Sequence, residues 1–426
     1  MRTRAVLLLA YGVLLGGITL MPRKVSDHST SRLATIDSLV ERGTFAIDGA
    51  AYQTIDKVYI NGRYYSHQPP MLAVTGAVVY YPLHLLGMQL GPNHHAAYVV
   101  MTFAMNGLGM MVGLVFFFRA LRWSSLPQRL HLPLTASLAC GTLLLPFSTT
   151  SNSHGLCAAL MAIGLYYYLI SRESGVAAFW SGLAFAVCGA ADHTMLAFYG
   201  LFGVCILLGP GRRSRVLWFF LPGVLTMAAT LGYYFTIGHS IKPFAARPEL
   251  FVYPGSQWSM TGDPQARLTG VAWNPLSFAL RYGALLLAGP RRGFLIYNPA
   301  SWLALYGIAL SVWRKAEYWR EAVAVMVASA VVVGYYALAS VNYSGWSYSI
   351  RWFIPFLPLW WFFGSPAIKT FDGWALWKRR LLAGLVAISV FYAVAGALNP
   401  WPAPWHGPLL PLANVRDAIL DKEFWK

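Results

Sequence analysis

Residues 96–122 read AAYVVMTFAMNGLGMMVGLVFFFRALR: no charge from 96 to 118, then Arg119 and Arg122. An apolar helix of about 20 residues crosses the roughly 30 Å hydrocarbon layer of a bilayer. The same pattern recurs in both directions. Further apolar runs cover 5–21, 132–147, 155–170, 176–191, 194–209, 216–236, 298–312, 322–341, 350–364 and 381–397. Composition agrees, since 57% of the 426 residues are hydrophobic and 11% are charged, where a soluble domain carries about 25% charged residues. The 32 Lys and Arg and 15 Asp and Glu cannot coat a soluble core of this size. The chain reads as all-α, a polytopic integral membrane protein with about eleven transmembrane helices. Secreted enzymes, cytosolic enzymes and nucleic-acid-binding domains are excluded.

The formal net charge of +17 would suggest nucleic acid in a soluble protein. Here every second gap between runs is short and basic: Arg119/Arg122/Arg129, Arg172, Arg212/Arg213/Arg215, Arg314/Lys315/Arg320 and Lys369/Lys378/Arg379/Arg380. Short loops rich in Lys and Arg stay in the cytoplasm. The remaining gaps, 22–95, 148–154, 192–193, 237–297, 342–349 and the tail 398–426, then face outward. The expectation is one membrane domain, 1–426, with a cytoplasmic N-terminus and two long outer loops, 22–95 and 237–297. Loops of that length are usually folded or functional. The first run has no small-x-small pattern before Pro22-Arg23-Lys24 and reads as an uncleaved anchor. Residues 71–90 are apolar enough to span, but spanning would invert the alternation of basic loops. Tyr80-Tyr81-Pro82 and His84 place that segment at the outer interface or in a re-entrant helix. Cys140, Cys157, Cys188 and Cys205 lie in or beside apolar runs and read as packing residues.

In the first outer loop, Asp27, Ser29 and Thr30 are N-cap types. They precede Leu33, Ile36, Leu39 and Val40, an apolar stripe at helical spacing, with Arg32, Asp37, Glu41 and Arg42 elsewhere on the surface. This predicts an amphipathic helix lying on the membrane and ended by Gly43. Gly109-x-x-x-Gly113 marks a helix contact.

No Asp or Glu lies in the middle of an expected span, which disfavours an ion-driven transporter. The acids and histidines gather instead at outer helix ends: Asp27 with His28, His67, His154, then Asp192-His193. Arg351 stands at the same level. This places a site at the outer face, although each residue also has a plainer role. Asp27 is a cap candidate, Asp192-His193 a turn, each histidine a partner for a backbone group, and Arg351 an interfacial cation. The Trp and Tyr residues of 343–361 suit an aromatic belt.

Several of these stretches resemble one family. Ser26-Asp27, Ser31-Arg32-Leu33-Ala34-Thr35-Ile36, 39–48, Asp56-Lys57-Val58 and Tyr64-Tyr65-Ser66-His67-Gln68-Pro69-Pro70-Met71 resemble bacterial GT-C glycosyltransferases, relatives of protein O-mannosyltransferases and of the aminoarabinose transferases of lipid A. Residues 289–299 and 345–355 look like later landmarks of one bacterial branch. The resemblance implies a sugar donor on polyprenyl phosphate, an acceptor hydroxyl on a glycan, lipid or protein, and a site at the outer face of a bacterial plasma membrane. It implies Asp27 as catalytic base, and Arg351, Arg291 and Arg292 as holders of the donor phosphate. His28, Asp56, His67, His154, Asp192 and His193 are the expected site lining. Protein O-mannosyltransferases have Asp-Glu where this chain has Asp27-His28, and many relatives have Lys where it has Gln68. The first departure leaves open a divalent metal on Asp27 with His28, His67 or His193, a ligand chemistry suited to Zn²⁺ or Mn²⁺. The rival readings are a flippase or transporter of polyprenyl-linked lipids, and an inactive relative acting as scaffold.

Overall fold

The apolar runs fold as helices packed along one another. The computed structural model describes residues 2–21, 25–209, 213–256, 274–345 and 347–402. Five helices are long and apolar enough to cross a membrane: His95–Trp123, Ser153–Ile170, Ser214–Gly238, Trp319–Ala339 and Leu376–Leu398. Shorter apolar helices accompany them, among them Arg4–Leu20, Gly175–Ala191, His193–Leu208 and Ser301–Trp313. The chain is a multi-pass membrane protein. Gly113 brings two of its helices together, because a Cβ there would meet Ala159 Cα at 2.7 Å. That close approach gives the Gly109-x-x-x-Gly113 pattern its physical meaning. The interior beside it is aromatic, with Phe147, Tyr168, Phe185, Phe198, Phe202 and Phe219 buried.

Two expected spans differ from the sequence reading. The run 132–147 divides at Gly141 into His131–Cys140 and Leu144–Phe147. The run 350–364 starts as a 3₁₀ helix, Arg351–Phe356, that contains Pro355, and continues as Leu357–Gly364. Proline lacks the amide that an α-helix would use there. Conversely, Leu276–Ala288 is helical within a segment read as loop. Part of that loop, 257–273, and the tail beyond 402 lie outside the described residues, as does Arg212 of the basic loops.

The first outer loop is a folded unit. α1 (Arg2–Leu20) precedes it, and its first helix, α2 (Asp27–Arg42), ends at Gly43 in the left-handed conformation, φ 64°. A hairpin follows, β1 (Lys57–Ile60) paired antiparallel with β2 (Arg63–Ser66), and then α3 (Met71–Leu85). The hairpin turn is Asn61-Gly62, both with positive φ (49° and 84°). This is the type I′ preference, and Asn-Gly between apolar strands is the strongest short-range hairpin signal in a sequence. The all-α reading passed over it. Val58 and Ile60 bury the hairpin against Tyr234, Phe244, Leu250 and Phe251. At 15 residues, α3 is about 22 Å long, short of the hydrocarbon thickness.

The surface position expected for Arg32 and Asp37 is corrected here: both are buried, at 7% and 4% exposure. The cause is that α2 is covered on more than its apolar stripe. Ile36 packs under Gly76 of α3, while on another side Ser31 Oγ donates to the Asp56 carbonyl at 2.6 Å and Arg32 Nη2 to Ser153 Oγ at 3.3 Å.

Candidate active site

The N-terminus of α2 opens the site. Its cap is Ser26, whose hydroxyl accepts from the Ser29 amide, so Asp27 is the first helical residue and its carboxylate is not the cap. The next residue, His28, turns inward to line a cavity of about 230 Å³. His67, Gln68 and Pro69 enter that cavity from the end of the hairpin, and His154, Asp192 and His193 from the helix ends expected at this level. Tyr335, Tyr336, Ser340, Arg351, Trp352 and Trp401 close the other side. Residues separated by more than three hundred positions in sequence thus meet at one end of the helix bundle.

Gln68 is the centre of the polar network. Its Oε1 accepts from Arg32 Nη2 at 2.8 Å, and its Nε2 lies 2.6 Å from His28 Nδ1 and 2.7 Å from His67 Nε2. The residue that departs from the family pattern therefore ties Arg32 to His67, while its amide competes with Asp56 for His28 Nδ1. Asp56 completes the cluster, with Oδ2 at 2.7 Å from His28 Nδ1. Burial pushes His28 down to about 4, against the opposing pull of Asp56, so the ring is neutral at pH 7. Burial alone would raise the Asp56 carboxyl, yet contact with His28, and the charges of His67 and Arg351, hold it below the usual carboxylate range. With a neutral His28, the bond from Nδ1–H and the Arg351 charge carry that effect. Asp27 goes the other way: burial first, then the Asp56 charge, raise its pKa. Two carboxylates within mutual influence are thus driven apart in acidity, a pattern that separates a proton acceptor from a fixed charge.

His28 Nδ1, Asp56 Oδ2 and His67 Nε2 lie within 4.8 Å of one another and form a donor set for a divalent ion. The Gln68 amide nitrogen is in hydrogen-bond contact with two of those three atoms. A cation there would require this amide to turn away, so the residues present fit a metal poorly.

Arg351 is buried, at 6% exposure, with its guanidinium 5.1 Å from the Trp401 ring centroid. Among the described residues no carboxylate lies within ion-pair distance of it. A buried cation facing a cavity without an acid partner is arranged for an anionic guest. Arg32 is a second cation at the cavity, with Nε lacking a hydrogen-bond partner. Arg291 and Arg292 stand apart from the lining. Arg291 is exposed, and Arg292 bonds the Gly345 carbonyl. His154 Nδ1 faces Asp192 Oδ2 at 3.3 Å without hydrogen-bond geometry. Asp192 Oδ1 accepts from the Thr194 amide and hydroxyl, the turn role open to it from sequence. His193 bridges the Gly189 carbonyl and Tyr234 hydroxyl, at 3.1 and 3.0 Å.

Two site residues had weaker signals in the sequence. Arg32 looked like the polar face of a surface helix. Asn106 lies in a π-helical turn, Phe103–Leu108, and donates to the Asn152 carbonyl at 2.8 Å, bracing the segment that carries His154. Such turns recur at functional sites, but nothing in an apolar run marks one.

No protein-family model and no curated protein matches the sequence. The fold does have solved relatives. ArnT from Cupriavidus metallidurans in its apo state has a TM-score of 0.56 at 14% identity, over 98% of this chain and 68% of that one. The same protein bound to undecaprenyl phosphate gives 0.50 at 13% identity, covering 93% and 70%. The Archaeoglobus fulgidus oligosaccharyltransferase gives 0.55 at 13% identity, covering 93% of this chain and 56% of that one. This is a GT-C fold. In this chain the loop that carries α2, the hairpin and α3 is seated on one end of the helix bundle and supplies His28, Arg32, His67, Gln68 and Pro69 to the cavity wall.

Proposed function

We propose that the protein is a membrane glycosyltransferase that moves a sugar from a polyprenyl-phosphate carrier to an acceptor hydroxyl at the outer face of a bacterial plasma membrane, with its N-terminus in the cytoplasm. The observation that carries the reading is Arg351, a buried cation facing a polar cavity at one bundle end with no acid partner within ion-pair distance. The fold of ArnT, solved with undecaprenyl phosphate, supports the same class of donor. The donor phosphate binds Arg351, aided by Arg32. Arg291 and Arg292 add positive charge at the edge. Arginine suits phosphate through its planar fork.

In the reaction, the bond between the sugar anomeric carbon and the phosphate oxygen breaks. Its electron pair leaves with polyprenyl phosphate, whose growing charge is met by the guanidinium groups. The acceptor oxygen bonds the anomeric carbon and its proton passes to Asp27. Polyprenyl phosphate is already a good leaving group, so the chain needs a base more than an acid. A positioned base contributes about 10²–10⁴-fold. The raised pKa of Asp27 makes it the better proton acceptor, while Asp56 stays charged and fixes His28. Asp27 is exposed and does not itself line the cavity, but it adjoins His28, which does, so an acceptor arriving from outside meets it beside the cavity.

The test is reconstitution of the full chain in liposomes with a labelled polyprenyl-phosphate sugar and a cell-envelope acceptor extract. Release of polyprenyl phosphate coupled to label in acceptor supports transfer. Movement of intact donor between leaflets without cleavage would overturn it in favour of a flippase.

A further inference from the structure

A second cavity, of about 720 Å³, lies between residues 4–14 of α1, the end of the His95–Trp123 helix and the His131–Cys140 helix. Its wall is apolar, with Leu8, Leu14, Leu114 and Ala136 among the lining side chains. The one buried hydroxyl near it is already engaged, since Tyr11 donates to the Ala139 carbonyl at 3.2 Å. Three arginines line the same cavity: Arg4, Arg119 and Arg122. Arg4 and Arg119 lie over the rings of Phe118 and Phe116, at 4.7 and 5.8 Å. None of the three pairs with an acid among the described residues. Around the cavity α1 shows apolar side chains outward, Val6 at 63% and Leu9 at 67% exposure.

An apolar trough with three unneutralised cations matches a molecule with hydrocarbon chains and an anionic head. We propose that this groove binds an anionic glycerophospholipid, its acyl chains along α1 and its phosphate among Arg4, Arg119 and Arg122. That it lies in the cytoplasmic leaflet rests on the orientation read from the basic loops; the chemistry of the ligand does not. The polyprenyl donor belongs at the other end. From Arg4 to the end of α1 at Leu20 the helix rises about 24 Å, and the Arg351 cavity lies beyond that end, past the start of α2. Anionic lipid near a membrane surface favours each Lys or Arg enough to raise affinity about fivefold. A lipid filling the groove also ties α1 to the bundle, and α1 leads directly to Asp27.

Native mass spectrometry of the full chain tests this, using micelles doped equally with phosphatidylglycerol and phosphatidylcholine of matched chains. The expected result is at least tenfold preferential retention of phosphatidylglycerol. Ala136→Trp fills the groove while leaving every cation and basic loop intact, and should cut that retention about tenfold. Val331→Trp, on an exposed apolar position away from the groove, should not change it. Arg119→Gln with Arg122→Gln, which spares the apolar wall, should lose the preference for the anionic head. Equal retention of both lipids by the wild type would overturn the proposal. So would unchanged phosphatidylglycerol retention in both groove variants. Added polyprenyl phosphate displacing phosphatidylglycerol from the wild type but not from Ala136→Trp would overturn it in favour of the carrier lipid.

Discussion

The two ends of the helix bundle treat most of their cations in opposite ways, Arg215 at the basic-loop end being an exception, buried and bonded to Ser171. At the end that holds α2 and the hairpin, Arg32 and Arg351 are buried, and the histidines and Asp56 around them are locked by Gln68 and by backbone groups. At the other end Arg4, Arg119 and Arg122 are exposed, and Arg129 meets Asp372 in an ion pair more than half open to solvent. Exposed pairs of that kind contribute little. Exposed charges of this kind bias loop orientation by their number and not by their geometry, in addition to the lipid contact proposed for Arg4, Arg119 and Arg122. Burying an arginine is costly, so an arginine held under a cavity without an acid partner points to a guest that brings the opposite charge. The comparison teaches that burial without an acid partner, and not charge itself, sets Arg351 of the proposed site apart from the exposed arginines.

The sharpest way to break this contrast is at the rim of the outer end. Asp27→Asn keeps shape and removes only the proton acceptor, so transfer should fall about 10²–10⁴-fold with donor binding and thermal stability retained. Near-normal transfer would move the base to another residue, Asp56 first. Arg351→Ala should come next. Loss of one guanidinium–phosphate contact should raise the apparent donor constant by roughly 10–100-fold, as expected for a charge-assisted hydrogen bond. An unchanged constant in a donor titration would remove Arg351 from phosphate binding. Arg351→Lys should recover part of the loss, since the charge returns without the fork.

A smaller effect tests the division of labour between the two carboxylates. Transfer requires ionised Asp27, so the rate should drop as pH falls through its raised pKa. The Asp56 charge contributes to that raised value. Neutralising it in Asp56→Asn should lower the Asp27 pKa and carry the acidic limb of the rate profile to lower pH, even if the maximum rate also falls. A limb that stays fixed would mean that the two groups titrate independently.

Much of the architecture was legible, and for definite reasons. Apolar length and alternating loop charge are additive properties of a sequence, so the membrane class and the gathering of His28, His67, His154, His193 and Arg351 at one bundle end could be read from it. The helix stop at Gly43 was legible because a left-handed cap leaves a local signature. Arg32 was not, since helical spacing alone cannot tell a solvated face from one covered by a hairpin twenty-five residues later. Breaks at Gly141 and Pro355 were hidden because a hydropathy run counts side chains and ignores backbone amides. The Asn61-Gly62 turn has a clear local signature, but its strands of four residues are too short to register among apolar runs of helical length. Gln68 looked like the loss of a lysine. Its role depends on the neighbours it joins, and those come from separated segments.

The smallest expected effect is at the opposite end, and it closes the comparison. Arg314 lines a cavity at a basic loop together with Lys369 and Lys378. If burial without an acid partner is what makes a cation functional, Arg314→Ala should leave the donor constant and the transfer rate within about twofold of wild type, the scale of an exposed charge. Its only consequence should be a slight loss of the bias that keeps its loop inside, read by cysteine accessibility, and the neighbouring Lys315 and Arg320 should mask even that. A loss of transfer comparable with that of Arg351→Ala would show that the two ends are coupled through the bundle, and charge burial would then no longer separate their roles.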